Sequence, residues 1–347
     1  MRGVYFTDIH WGRKDNSVEH NADCTAFVDY MIDYINTQGN IDYIAFLGDW
    51  NQHRNSINVF TMHVSHEAAK KLNRLELPVY FIVGNHDLYH RNNREYFSTV
   101  TYDSLDNFVV IDKPKVINQC GCDILFSPYL FDAEYPILYE KYQHVPVWAG
   151  HFEFKSFILT GQYTKSVHGA DPDSFSNIKR IFSGHFHKRQ HSKNITYIGN
   201  TFPMDLSDAG DSERGFMVYD HDADEMTFID WLDGPFYDRV PASVAMDPTF
   251  VPKKNSVIVI TDDVKLQHQQ IQQIKEKLSA TGNIRGLKVD FQKKLIMEDN
   301  EQNENMLKEG DKTIDDIVID KLSQLMSVDT TLLINMYREL MLHSQEI

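Results

Sequence analysis

Five short polar clusters carry residue types that bind divalent metal ions. They are Asp8-x-His10, Gly48-Asp49, Gly84-Asn85-His86-Asp87, Gly150-His151 and Gly184-His185-x-His187. Together they supply carboxylates, an amide oxygen and several imidazoles, a donor mixture that suits borderline ions such as manganese, iron or zinc. A Gly-Asp after a strand is commonly only a turn, and a lone Asp-x-His says little. Five such clusters in one chain, each closing an apolar run, are hard to assign to chance. Seven or so ligands exceed what one ion takes and fit two, with one carboxylate bridging. Two ions about 3.5–4 Å apart can clamp a phosphate diester and lower the pKa of a bridging water for in-line attack.

The elements that must position these groups are also legible. Val4-Tyr5-Phe6, Tyr43-Ile44-Ala45-Phe46-Leu47, Val79-Tyr80-Phe81-Ile82-Val83, Val145-Pro146-Val147-Trp148 and Arg180-Ile181-Phe182-Ser183 each lead into one cluster. Such runs, without alternation, suit strands buried on both faces. The carboxyl ends of such strands line a crevice where ligands bind. Residues two apart on a strand share a face, so His185 and His187 are expected to face one pocket, as are Asp8 and His10. Helical stripes lie between the runs. Phe27, Tyr30, Met31, Tyr34 and Ile35 form one, with Gly39 as its stop, and Phe60, Val64, Ala68, Leu72 and Leu75 form another that ends before Pro78. Alternating strand and helix implies a sheet covered by helices on both sides. Strands at 195–198, 216–220 and 226–231 lack long helices between them and are expected to add antiparallel members.

After Trp231 the character changes. Pro235, Pro241, Pro248 and Pro252 punctuate a region read as a wrapping or linking segment. Residues 256–261 read as a strand, a polar helix carries Leu266, Ile271, Ile274 and Leu278, and a second strand falls near 284–291. Residues 297–312 are acidic, amide-rich and almost free of apolar side chains, the composition of a flexible linker. Thr313 and Asp316 then resemble a capping box. Two helical stripes follow, Ile314 to Met326 and Leu332 to Met341. A pair this short cannot shield its apolar faces alone. It either folds back onto the body or docks into a groove on a partner protein.

Composition narrows the class. With 42% hydrophobic and 24% charged residues in 347, a packed core is expected and wholesale disorder is not. No run of about 18 apolar residues appears, so no membrane-spanning helix is expected. The chain reaches Asp8 too early for a signal peptide, and three cysteines are too few for a disulfide framework. Both point to the cytoplasm. A net charge of −16 argues against a protein that coats nucleic acid, though not against a nuclease whose carboxylates hold metal.

In type and order the five clusters resemble the calcineurin-like metallophosphoesterases, over about residues 1–230. The resemblance implies an α/β fold, a β-sandwich flanked by helices. It implies that Asp8, His10, Asp49 and His187 hold one ion, and that Asp49 (bridging), Asn85, His151 and His185 hold the other. His86 would be catalytic beside the scissile phosphate, as a proton donor to the leaving oxygen or a stabiliser of developing charge, with Asp87 and Arg54 holding loops. Within the family, Asp8-Ile9-His10-Trp11-Gly12, Val83-Gly84-Asn85-His86-Asp87 and Ser183-Gly184-His185-Phe186-His187 are most similar to the SbcD-type DNA repair nucleases and, in size, to the recombination endonuclease subunit of tailed phages.

That likeness divides the chain into a phosphoesterase domain (1–234), a small α+β capping module (235–296), a linker (297–312) and a C-terminal helical pair (313–347). It implies a manganese-dependent DNA nuclease whose helical pair binds an SbcC-like ABC ATPase. It also implies a homodimer formed through the Phe60–Leu75 helix and residues near Tyr96–Val100. A phosphodiesterase or phosphatase acting on another substrate, or a non-catalytic adaptor for the ATPase, are the rival readings. One departure stands out. Three residues after Asp49, where related enzymes often place an acidic residue or histidine to orient the catalytic imidazole, this chain has Gln52, with His53 beside it. Either His53 takes that role through a shifted loop or His86 is less well tuned. The remaining histidines, His20 among them, are read as solvated or locally hydrogen-bonded.

Overall fold

The structure is a computed structural model and describes residues 1–119, 121–159 and 164–290. The linker and helical pair expected at 297–312 and 313–347 lie outside the described residues. Strands β1 (Arg2–Phe6), β2 (Tyr43–Phe46), β3 (Val79–Ile82) and β4 (Phe108–Ile111) pair in parallel. Helix Val18–Gln38 joins the first two and helix Val59–Asn73 the next. Both helices begin where an oxygen side chain accepts a backbone N–H of the first turn, Ser17 from His20 and Asn58 from Phe60. The first stops at Gly39, whose φ of 64° is the left-handed turn that glycine adopts without a steric penalty.

A second sheet is built from β5 (Lys115–Gln119), β6 (Cys122–Ser127), β7 (Val147–Gly150), β8 (Arg180–Ser183), β9 (Gln190–Ser192) and β10 (Ile195–Tyr197), in the order β5-β6-β7-β8-β10-β9. The hairpin β11 (Gly215–Asp220) and β12 (Glu225–Asp230) returns antiparallel to β1, giving the first sheet the order β12-β11-β1-β2-β3-β4.

Among the described residues, each of these two sheets has helices on its outer face only. Phe6, Phe46 and Phe81 pack against Phe27, Met31 and Leu72 outside the first sheet. Leu125, Trp148 and Ile181 pack with Tyr135 and Leu138 outside the second. Between the sheets lie Tyr5, Leu47, Ile82, Phe126, Ala149, Phe182 and Met217. The two-sided burial read from the apolar runs therefore holds, but one covering layer of each sheet is the other sheet rather than helices. Hydrophobic period reports that a face is buried and not what buries it.

A third, parallel sheet consists of β13 (Phe236–Pro241), β14 (Ser256–Thr261) and β15 (Ile284–Asp290), with helix His268–Ala280 against it. Its own core contains Val240, Ile258, Ile260, Ile274 and Leu278. The segment read from its prolines as a connection thus contains a strand. Pro241 is tolerated because it ends an edge strand, where a missing N–H interrupts little. Arg285 ties this sheet to helix Val18–Gln38, with Nη1 3.0 Å from both Asp23 oxygens and Nε 2.9 Å from Glu19. Among the described residues no helix is long and apolar enough to cross a membrane.

Candidate metal centre

Every cluster leaves its strand before the polar side chains are reached. β1 stops at Phe6, β2 at Phe46, β3 at Ile82 and β8 at Ser183, while β7 ends on Gly150 immediately before His151. Asp8 (φ 52°), His10 (φ 50°), Asp49 (φ 63°) and His185 (φ 86°) all occupy the left-handed region, which is costly for residues with a Cβ. Strain of this kind persists where surrounding structure over-determines it, commonly at functional sites. The strand alternation invoked from sequence is therefore not what aims these groups. His185 and His187 enter different clusters because their backbone turns between them.

Three groups of potential ligands lie with their atoms within 4.8 Å of one another: Asp8, His10 and His187; His10, Asp49 and His86; Asp49, His151 and His185. His10 and Asp49 are each shared, so the groups form one continuous patch. His10 Nε2 is 3.7 Å from Asp8 and 3.8 Å from Asp49, and His151 Nε2 is 3.4 Å from Asp49. Asn85 Oδ1 closes the second side, 2.8 Å from His151 Nε2 and 2.9 Å from His185 Nδ1. The first sheet contributes Asp8, His10, Asp49, Asn85 and His86, and the second contributes His151, His185 and His187. All eight residues singled out from the sequence meet at this seam.

The donor set fits divalent cations. Asp8 Oδ1 is fully buried with no hydrogen-bond partner, while Oδ2 accepts from Thr7 Oγ1 at 2.7 Å and from the His185 backbone N–H at 3.0 Å. An unpaired buried carboxylate oxygen is expensive, and a cation removes that cost. Burial pushes His185 down to about 3 and His187 to about 4, and holds His10 well below its usual value. These three imidazoles are therefore neutral near pH 7, with lone pairs available to a metal, whereas at His151 the Asp49 carboxylate outweighs burial and raises the imidazole to about 9. Asp49 is also buried, which opposes its charge, but His151 and His86 beside it hold it well below the carboxylate range.

Supporting contacts fix the orientation. His151 Nδ1 donates to the Leu47 carbonyl at 2.7 Å, leaving Nε2 toward Asp49 and Asn85. Asp87 accepts backbone N–H groups of Gly84, Asp49, Trp50 and Asn51 at 3.0–3.3 Å, so one carboxylate holds two ligand loops together. Gly84 lies so close to Asp49 that a Cβ there would meet its backbone N and Oδ1 at 2.2 Å. His86 Nδ1 donates to the main-chain carbonyl of Gln52 at 2.9 Å, and its backbone N–H donates to Asp49 Oδ1 at 2.8 Å. His53 turns instead to the Gly12 carbonyl at 3.1 Å. Neither side chain considered for orienting His86 does so; the backbone does.

The profile of the calcineurin-like phosphoesterases matches residues 1–189. The chain belongs to that family. Membership implies a fold that binds divalent metal, with the His and Asp groups above as its candidate metal sites. Exonuclease subunit 1 of Enterobacteria phage T4 is 30% identical over 201 residues, which cover 57% of this chain. The chain spans 58% of the length of that relative. A solved structure described as a novel archaeal phosphodiesterase aligns over 66% of this chain and 99% of its own, with 7% identity and a TM-score of 0.35.

Some participants were not singled out from sequence. His20, buried in helix Val18–Gln38, donates from Nε2 to the His10 carbonyl at 3.0 Å and braces that left-handed turn. Asn21 accepts the Gly12 N–H at 2.9 Å. Glu153 stands 3.8 Å from His185 Nε2, and the Tyr129 ring lies 5.6 Å from the His185 ring. Glu153 follows His151 by two residues, a spacing that signals it only once His151 is known to face the site.

Proposed function

We propose that the chain is a two-metal nuclease that hydrolyses DNA phosphodiesters. The observation that carries this reading is the chain of three ligand groups linked through His10 and Asp49. Asp8, His10, Asp49 and His187 hold one ion, and Asp49, Asn85, His151 and His185 hold the other. When bound, the two ions, manganese in this reading, polarise phosphoryl oxygens and make water a competent nucleophile at neutral pH. The protein's own groups do the rest. Asp8 and Asp49 bring negative charge that a phosphodiester could not approach without cations. His86 has committed Nδ1 to Gln52, so Nε2 remains to deliver a proton to the leaving oxygen.

Support for DNA as substrate comes from the relative named as an exonuclease subunit, and the word subunit supports a complex. We assign residues 1–234 to the nuclease domain, 235–296 to a capping module and 297–312 to a linker. We assign residues 313–347, which lie outside the described residues, to binding an SbcC-like ABC ATPase. Two copies pair through the Phe60–Leu75 helix and residues near Tyr96–Val100, where Phe60 (42% exposed), Met62 (53%), Tyr96 (57%) and Val100 (55%) are open to a partner.

The test is hydrolysis of linear DNA by the purified chain, with and without manganese and with His86→Ala. Manganese-dependent cleavage that falls at least about 100-fold in the variant supports the reading. Cleavage that survives chelation, or a His86→Ala enzyme as active as wild type, overturns it. For the partner, recovery of the ATPase is compared between the full chain and one ending at Gly310; equal recovery overturns the tail assignment.

A further inference from the structure

A second pocket of about 500 Å³ opens beside His86, lined by Gln52, His53, Arg54, Asn55, Ser56, Tyr89 and Arg91. Among the described residues no carboxylate lines it, although the chain carries a net charge of −16. Arg54 is half-buried with Nη1 3.4 Å from the Leu88 carbonyl, and Arg91 is exposed. Neither makes an ion pair among the described residues. Burial holds Arg54 below its ordinary pKa, with Asp49 opposing that shift and the nearby Arg91 adding to it. Tyr89 stands at the rim, 50% exposed, its ring 4.8 Å from that of His90. Two unneutralised arginines and an exposed aromatic ring form the combination that binds single-stranded nucleic acid: cations for the backbone and a ring for a base. Arginine is the better phosphate donor because its planar fork can give two parallel hydrogen bonds.

We propose that this pocket is a nucleotide subsite, in which Arg54 and Arg91 bind the backbone phosphate next to the scissile one and Tyr89 stacks on an unpaired base. The inference rests on the nuclease reading and deepens it. Because His86 is shared between the pocket and the metal centre, the nucleotide held here is the one joined through the leaving oxygen. Stacking on Tyr89 requires an unpaired base, so the strand on that side must be single-stranded or frayed at its end. A small diester has no second phosphate and no base to place there.

The full-length protein with manganese is assayed on an oligothymidylate and on bis(4-nitrophenyl) phosphate, comparing wild type with Tyr89→Ala and Arg91→Ala. Both side chains are exposed, so folding is not at stake. Each variant should raise KM for the oligonucleotide about tenfold and lower its kcat/KM relative to that for the small diester. Arg91→Ala should also reduce the slope of log(kcat/KM) against log salt by about 0.7, one phosphate contact on a single strand. Lys115→Ala, on edge strand β5, should change none of these. If wild type cleaves the oligonucleotide and both variants match it within twofold in KM and in the substrate ratio, the subsite is overturned and the nuclease reading stands. If wild type hydrolyses the small diester but not the oligonucleotide, the nuclease reading fails and takes the subsite with it.

Discussion

Replacing Gly84 by alanine tests how tightly the site is stacked. A Cβ at Gly84 would fall 2.2 Å from both the backbone N and Oδ1 of Asp49, and 2.9 Å from the Gly48 carbonyl carbon. Ordinary contact begins at 3.4 Å, so Asp49 or the Asn85–His86 loop must retreat by about 1.2 Å. The obstruction is backbone and a buried carboxylate held by His86 N–H, which cannot swing aside as a long side chain would. Asp49 belongs to two of the three ligand groups, so the shift reaches both of them. A misplacement of about 1 Å costs roughly 100-fold in rate, or about 2.7 kcal/mol of transition-state stabilisation. Overpacking adds about 1–3 kcal/mol of lost stability. The assay is kcat on bis(4-nitrophenyl) phosphate at saturating manganese, with Tm measured in parallel. Gly286→Ala in β15 is the control, because its Cβ would meet Val257 at 3.5 Å, an ordinary contact. A folded Gly84→Ala enzyme with kcat within threefold of wild type would refute the stacking argument.

Other predictions follow from the supporting contacts. Asp87→Asn turns one of two accepting oxygens into a donor facing backbone N–H groups, so the urea midpoint should fall by the equivalent of about 1–3 kcal/mol; an unchanged midpoint would show that the carboxylate does not clamp the two loops. Burial holds His20 at about 4, below its unfolded value near 6.5, so the unfolded chain takes up a proton that the folded chain refuses. Stability should therefore fall as pH drops from 6.5 to 4, by roughly 3 kcal/mol at most from this group, and His20→Gln should flatten that slope in denaturation curves. Arg285→Ala removes the contacts to Asp23 and Glu19 and should speed hydrogen exchange in β15, consistent with a loss of about 1 kcal/mol; unaltered exchange would mean that other contacts hold this sheet.

The residues at the seam were legible because each lies in a short polar cluster after an apolar run, where composition is unusual over only two to four positions. Their convergence was legible too, although for a partly wrong reason. Asp8 and His10, like His185 and His187, are aimed by left-handed turns in loops and not by the alternation of a strand. The sandwich came from the resemblance of the polar clusters and not from the apolar runs, since Tyr5 and Phe6 are equally buried whether a sheet or a helix covers them. β13 was hidden by prolines that an edge strand can carry. The support of His86 was illegible in principle, because the Gln52 carbonyl is main chain and any residue type supplies it. His20 was illegible because a helical histidine gains meaning only when the neighbouring turn is known.

Diffraction data collected at the manganese absorption edge, on crystals soaked in manganese, test the central claim most directly. Two anomalous peaks on either side of Asp49, one against Asp8, His10 and His187 and the other against Asn85, His151 and His185, are the predicted result. A single peak, or peaks away from Asp49, would contradict it.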